Sequence, residues 1–151
     1  MKTLRGYLRL TPFEQKIVLQ SFLGLVVTRL GLRLFGFDAW RNVLALTAPL
    51  VCGPPQLFAG NCKTVVKMHA AAKRRLFFKP NCLEDALVLQ RQLRRSGVPA
   101  RLRFGGRKEQ GKFEAHAWVE VAGGPVGDGD RARGYFVPFD GPVTLMESRT
   151  R

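Results

Sequence analysis

Residues 81–104, N-C-L-E-D-A-L-V-L-Q-R-Q-L-R-R-S-G-V-P-A-R-L-R-F, decide the fold. Asn81 is a good N-cap, because its carboxamide oxygen can accept one of the N–H groups that a first helical turn leaves unpaired. Leu83, Ala86, Leu87, Gln90 and Leu93 then fall near one face, with Arg91, Arg94 and Arg95 outside. Ser96-Gly97 ends this helix and Pro99 prevents its continuation. Residues 100–104 alternate like a half-buried strand, and Gly105-Gly106 through Gly111 read as a polar turn.

Downstream, residues 113–121 (F-E-A-H-A-W-V-E-V) alternate again. Phe113, Ala115, Ala117, Val119 and Val121 share the expected core face, and Glu114, His116, Trp118 and Glu120 share the other. Ala122-Gly123-Gly124 reads as a hairpin loop, with a return strand from Val126 to Asp128. Tyr135 to Phe139 predicts a last strand at the sheet edge, since Pro138 cannot donate to a ladder.

Upstream the chain reads as helical. Thr11-Pro12-Phe13-Glu14 has the form of a helix start, with Thr11 as N-cap, Pro12 at the first helical position and Glu14 three residues in. That helix should run to about Phe35, before Gly36. A second apolar run, Val43 to Val51, ends at Cys52-Gly53-Pro54-Pro55. A third helix is expected over 62–78, with Lys79-Pro80 closing it. Helices followed by antiparallel strands make the class α+β. Residues 1–60 form a helical front of the same domain, and 61–151 its core.

The 151 residues give room for one hydrophobic core, and 46% apolar content with 24% charged is that of a globular chain. The formal charge is +14 and is unevenly spread. Residues 1–51 carry +5, residues 52–112 carry +11 and residues 113–151 carry −2. Such a front suits an acidic partner or an anionic surface. No aromatic-interleaved RNA-binding pattern and no zinc-finger spacing accompanies it, so a nucleic-acid partner is not expected. Residues 17–37 are apolar but interrupted by Gln20, Ser21, Arg29 and Arg33, which favours a buried or interfacial helix over a membrane span. A peripheral membrane contact stays open.

Three cysteines are too few and too odd in number for a disulfide framework, and they fit a reducing, cytoplasmic compartment. Cys52, Cys62 and His69 lack a zinc-site spacing, so neither a metal nor any other cofactor is expected. Cys82 is different. It falls in the first turn of its helix, where unpaired N–H groups and the helix dipole favour the nucleophilic thiolate, with Lys79 nearby. His116, flanked by Ala115 and Ala117, can take and return a proton near neutral pH. A carboxylate on the next strand would orient it. A three-residue loop at 122–124 puts Asp128 diagonal to His116 and Asp130 opposite it, whereas a two-residue loop turns both away. Read singly, each residue also has a plain structural role: a small buried thiol, a surface histidine, an aspartate in a turn.

Cys on a helix start, His on a strand and Asp after it is the order of papain-like and transglutaminase-like thiol enzymes. The wording N-C-L-E-D-A-L, then G-V-P-A and H-A-W-V-E, closely resembles the lasso-peptide B protein, specifically its protease half when that is a separate chain. The resemblance is most specific from Cys82 to Asp128, and the basic, leucine-rich front is similar in character. It implies a transglutaminase-like cysteine protease that removes the leader from a ribosomally made precursor peptide. Cys82 would attack the carbonyl after the last leader residue, which in this family commonly follows a penultimate Thr. His116 would serve as base and then acid, and Asp128, at the family's distance from the histidine, would orient it.

The implied partners are the precursor peptide, a separate leader-recognition protein and an ATP-dependent cyclase resembling asparagine synthetase. No leader-binding segment of winged-helix type is evident ahead of residue 60, which suits such a divided system. A bacterial cytoplasmic location is implied, peripheral to the membrane if the apolar front docks there. Two other functions stand beside this one. A thiol acyltransferase of the same fold would resolve the acyl-enzyme with an amine. A basic, non-enzymatic adaptor would keep the scaffold without the chemistry.

Overall fold

The computed structural model describes Tyr7 and residues 10–46, 58–109, 112–127 and 137–138. Helix α1 spans Pro12–Leu46. Its start is the reciprocal cap that the sequence predicts: the Glu14 N–H donates to Thr11 Oγ1 at 3.3 Å, and the Thr11 N–H donates to Glu14 Oε2 at 2.9 Å. The expected stop before Gly36 is where the helical conformation breaks, and a second helical stretch follows it to Leu46. Gly36 takes φ 75° and ψ 178°, a conformation that only glycine adopts without strain, and the helix then resumes. Of the expected Val43–Val51 run, Val43 to Leu46 belong to α1. The breaker at 52–55 lies outside the described residues.

Beyond the kink the chain turns back on itself. Trp40 stacks on Phe35 at 6.4 Å and lies over Gly31, where an added Cβ would come within 2.3 Å of the indole. Gly31→Ala therefore pushes the indole off the helix or bends the backbone. Overpacking of this kind costs about 1–3 kcal/mol. A lowered thermal midpoint checks it, and an unchanged midpoint would show that Trp40 is not seated there.

Helix α2 spans Phe58–Lys73, starting earlier and ending sooner than the 62–78 expected. Its end tightens into three-residue bonds, Arg75 N–H to Ala72 O at 3.0 Å and Leu76 N–H to Lys73 O at 3.2 Å, and the chain leaves toward Pro80. Helix α3, Cys82–Arg95, is as predicted, with both halves of the Asn81–Glu84 capping box present. The Glu84 N–H donates to Asn81 Oδ1 at 2.8 Å, and the Asn81 N–H donates to Glu84 Oε2 at 3.0 Å. At the far end Gly97 takes φ 81°, and the Val98 N–H reaches back to Leu93 O.

The strands are β1 (Ala100–Glu109), β2 (Lys112–Val121), β3 (Gly124–Val126) and β4 (Val137–Pro138), in the sheet order β3-β2-β1-β4. Gly105 and Gly106, expected in a turn, lie inside β1 instead. Both are buried: Gly105 faces His116 on one side and Pro138 on the other. Both are paired into the ladder, so these glycines are strand residues rather than turn residues. The edge position of Pro138 is as predicted. Tyr135, Phe136 and Phe139 lie outside the described residues.

The hairpin also differs from expectation. Val121 pairs with Gly124, which leaves a two-residue loop of Ala122 (φ 51°) and Gly123 (φ 78°), the pair of positive φ values that a tight antiparallel hairpin requires. Pairing stops at Val126, short of the expected return to Asp128, and Gly127 leaves the ladder with φ 69°.

The core gathers Ile17 and Val18 from α1, Val65 and Met68 from α2, Leu89 and Leu93 from α3, and Ala117 and Val119 from β2. The helical front thus packs against α3 on one side, while α3 faces the sheet on the other. Phe113, expected on the core face, is 66% exposed because the β1–β2 hairpin tip extends past the helices.

Candidate active site

Cys82 is the first residue of α3, so the Asn81 cap that starts the helix also fixes where the thiol sits. Strand β2 passes in front of that helix end and carries His116. The two side chains line one cavity of about 200 Å³, together with Lys73, Lys79, Asp85 and Trp118. The helix N-terminus and Lys79 bring positive charge to this cavity, while the Lys73 ammonium is paired with Asp85 Oδ2 at 2.8 Å.

Trp118, on the same face of β2, is buried and stacks against His116 with centroids 6.2 Å apart and planes 17° from parallel. Its indole N–H donates to Glu120 Oε1 at 3.2 Å, and Glu120 Oε2 accepts from Arg103 Nε at 2.9 Å. Trp118 thus walls the cavity and backs the imidazole.

The helical front reaches this site through Arg29. Its guanidinium lies 4.5 Å from the Phe78 ring, donates to Lys79 O at 3.4 Å and stands 3.6 Å from Glu84 Oε2. Glu84 is the residue that completes the cap, so Arg29 ties both the loop before α3 and its first turn to α1.

A cysteine at a helix start and a histidine on a later strand are joined by a match over residues 24–139 to the transglutaminase-like superfamily, well over half of the chain. The chain belongs to that superfamily. No curated protein and no solved structure matches it. Transglutaminase-like proteins include cysteine proteases and acyltransferases, and the α+β arrangement seen here is consistent with that fold.

One part of this transglutaminase-like site was not anticipated from sequence. Asp85, one turn along α3 from Cys82, accepts from His69 Nε2 at 2.8 Å and from Lys73 Nζ at 2.8 Å. His69 is 3% exposed and its Nδ1 is buried without a hydrogen-bond partner. Contact with an ionised carboxylate places a proton on Nε2. Burial alone would push the Asp85 carboxyl up. The hydrogen bonds and charges of His69 and Lys73 outweigh burial and hold it below the usual carboxylate range. The signal for this cluster was two polar residues on helix faces that are otherwise apolar.

The remaining residues singled out from sequence separate cleanly. His69, once weighed with Cys52 and Cys62 as a metal ligand, is committed to Asp85 instead. Among the described residues no group of three or more His, Cys, Asp or Glu side chains converges as a metal site. Cys62 is half-buried beside the core, where burial pushes its thiol up. Cys52, Asp128 and Asp130 lie outside the described residues.

Proposed function

We propose that this protein is a leader peptidase, cleaving the leader from a ribosomally made lasso-peptide precursor by cysteine chemistry. The observation that carries the reading is the shared cavity of Cys82 and His116, with the thiol at a capped helix start. The H-A-W-V-E strand and the C-L-E-D-A-L helix supply the lasso-peptide assignment within the superfamily.

In this mechanism the Cys82 thiolate, its proton held by His116, adds to the carbonyl carbon of the last leader residue. The oxyanion is met by the Cys82 N–H and by the Asn81 carboxamide N–H, which stays available because only the oxygen of that amide caps the helix. His116 then protonates the leaving amine, and the C–N bond breaks to leave a thioester. Water, deprotonated by His116, hydrolyses the thioester and restores the thiol. The two-residue hairpin would turn Asp128 and Asp130 both away from His116 if the ladder continued, but pairing stops at Val126 and Gly127 leaves it, so the assignment of Asp128 to orient His116, with Asp130 as the other candidate, rests on the resemblance alone. The freed α-amine is the group that an ATP-dependent cyclase then joins to a side-chain carboxyl. A separate leader-recognition protein presents the precursor.

Full-length precursor, the leader-recognition protein and this chain, followed by mass spectrometry, test the reading. Release of a leader ending in a free carboxylate supports it. A new amide at that carboxyl instead assigns an acyltransferase, and intact precursor that is nonetheless bound assigns an adaptor.

Two further expectations arise at the rim. Asn81→Ser keeps a capping oxygen but loses the amide donor, so kcat falls about 10²–10³-fold with little loss of helix stability. Unchanged kcat would place the second oxyanion donor elsewhere. Lys79, Arg74 and Arg33 line the depressions that adjoin the cavity, which favours acidic residues near the scissile bond. Lys79→Glu should raise KM for an acidic precursor about fivefold at low salt, less at high salt, with kcat nearly constant. A KM indifferent to both would remove the rim from substrate selection.

A further inference from the structure

Helix α1 is apolar on both sides. Its inner face, with Ile17, Leu25 and Thr28 buried, belongs to the core. Its outer face carries Leu19, Leu23, Val27, Leu30 and Leu34, spaced by four, four, three and four residues. Each is about half exposed or more, and Leu34 reaches 72%. The row runs about 22 Å along the helix. A surface helix of a soluble domain ordinarily turns polar residues outward, so a continuous apolar row of this length calls for something that covers it.

Charge identifies the cover. From residue 15 to residue 37 there is no Asp or Glu, while Lys16, Arg29 and Arg33 interrupt the apolar sequence. Arg29 also ties the loop after α2 to this flank through Phe78 and Lys79. That loop presents Phe77, 85% exposed, close to Arg74, Arg75 and Lys79. The face is a continuous apolar row with Lys16, Arg29 and Arg33 in the same helix and an exposed aromatic side chain on the neighbouring loop. Those features fit a lipid interface, where apolar side chains enter the acyl boundary and cations meet headgroup phosphates.

The most apolar window of this helix, at mean hydropathy 1.5, would suit a span by composition. Crossing the bilayer, however, would strip Ile17, Leu25 and Thr28 from the core that they share with α2 and α3. Lying on a lipid surface would leave that core intact, whereas crossing one would not.

We propose that the outer face of α1, with Phe77 at its flank, seats the protein on an anionic lipid surface. The inference is independent of the peptidase reading, since it concerns a face of α1 turned away from the core that α1 shares with α3.

Flotation of the full chain tests it, using vesicles of phosphatidylcholine alone and of equal parts phosphatidylcholine and phosphatidylglycerol. The expected result is co-flotation with the mixed vesicles, weakening as salt rises. A Leu23→Ser and Leu30→Ser pair should reduce binding at least about tenfold, with circular dichroism and Cys82 alkylation unchanged. If the pair fails to fold, Leu34→Gln alone, at the most exposed position, should still lower binding. Absence from the mixed vesicles at low salt would overturn the proposal, as would variants that float like the parent. A solution dimer that these variants dissociate, without flotation of the parent, would assign the row to a second copy and overturn it equally.

Discussion

At neutral pH, iodoacetamide should alkylate Cys82 at least about tenfold faster than Cys62, and His116→Ala should erase that advantage. The two thiols share a chain but not an environment. Cys62 sits half-buried beside the core, where burial favours the protonated, unreactive form. Cys82 opens a cavity at a helix N-terminus with Lys73, Lys79 and His116 on the walls. If His116 takes the Cys82 proton, the pair is a thiolate facing an imidazolium, and removing the imidazole returns the thiol to an ordinary one. Peptide mass spectrometry reads each cysteine separately and needs no substrate.

The corresponding activity prediction is larger. Cys82→Ala should lower leader cleavage by about four to six orders of magnitude, because a covalent route has no substitute nucleophile. It should leave the thermal midpoint nearly unchanged, since the thiol caps nothing. Equal alkylation of Cys82 and Cys62, together with full turnover by Cys82→Ala, would sink the mechanism.

What the sequence made legible was mostly local. Asn81 and Glu84 stand three residues apart, so the cap, the start of α3 and the placement of Cys82 could be read from a single turn. The same holds for Thr11 and Glu14. Gly105-Gly106 misled because paired glycines usually mark a turn, whereas their role here is set by His116 and Pro138 on neighbouring strands. The loop at Ala122-Gly123 was misjudged by one residue, since Gly124, a glycine following a glycine, reads locally as a third turn residue but pairs with Val121. Asp85 and His69 could each be seen as polar residues on apolar faces. That they meet depends on how α2 crosses α3, which helical periodicity does not encode. The kink at Gly36 was legible as a glycine, but the return of Trp40 over Gly31 was not.

The Asp85 cluster supplies the largest expected change in stability. Its carboxylate is 13% exposed and holds a histidine that is 3% exposed. Asp85→Ala leaves the His69 Nε2–H buried without its acceptor and Lys73 without its counter-charge. Breaking such a pair from one side costs about 3–5 kcal/mol when both partners are buried. Lys73, 21% exposed, can turn toward water, which brings the expectation to about 2–4 kcal/mol. For a domain of this size that is a fall in thermal midpoint of roughly 5–15 °C.

Asp85→Asn separates charge from shape, because it keeps the volume and one acceptor. The folded carboxyl lies below its ordinary value, so its stabilisation is complete above the unfolded value of about 3.9 and is lost as pH falls through the folded one. Native protein should therefore exceed Asp85→Asn in stability at neutral pH, with the gap starting to close below about pH 4 and closing fully only below the lowered folded value, where both carry a neutral group at this position. Urea unfolding across that range reads the gap directly. A gap that persists undiminished to about pH 2 would assign the cost to packing, and His69 would then be held by shape rather than by charge.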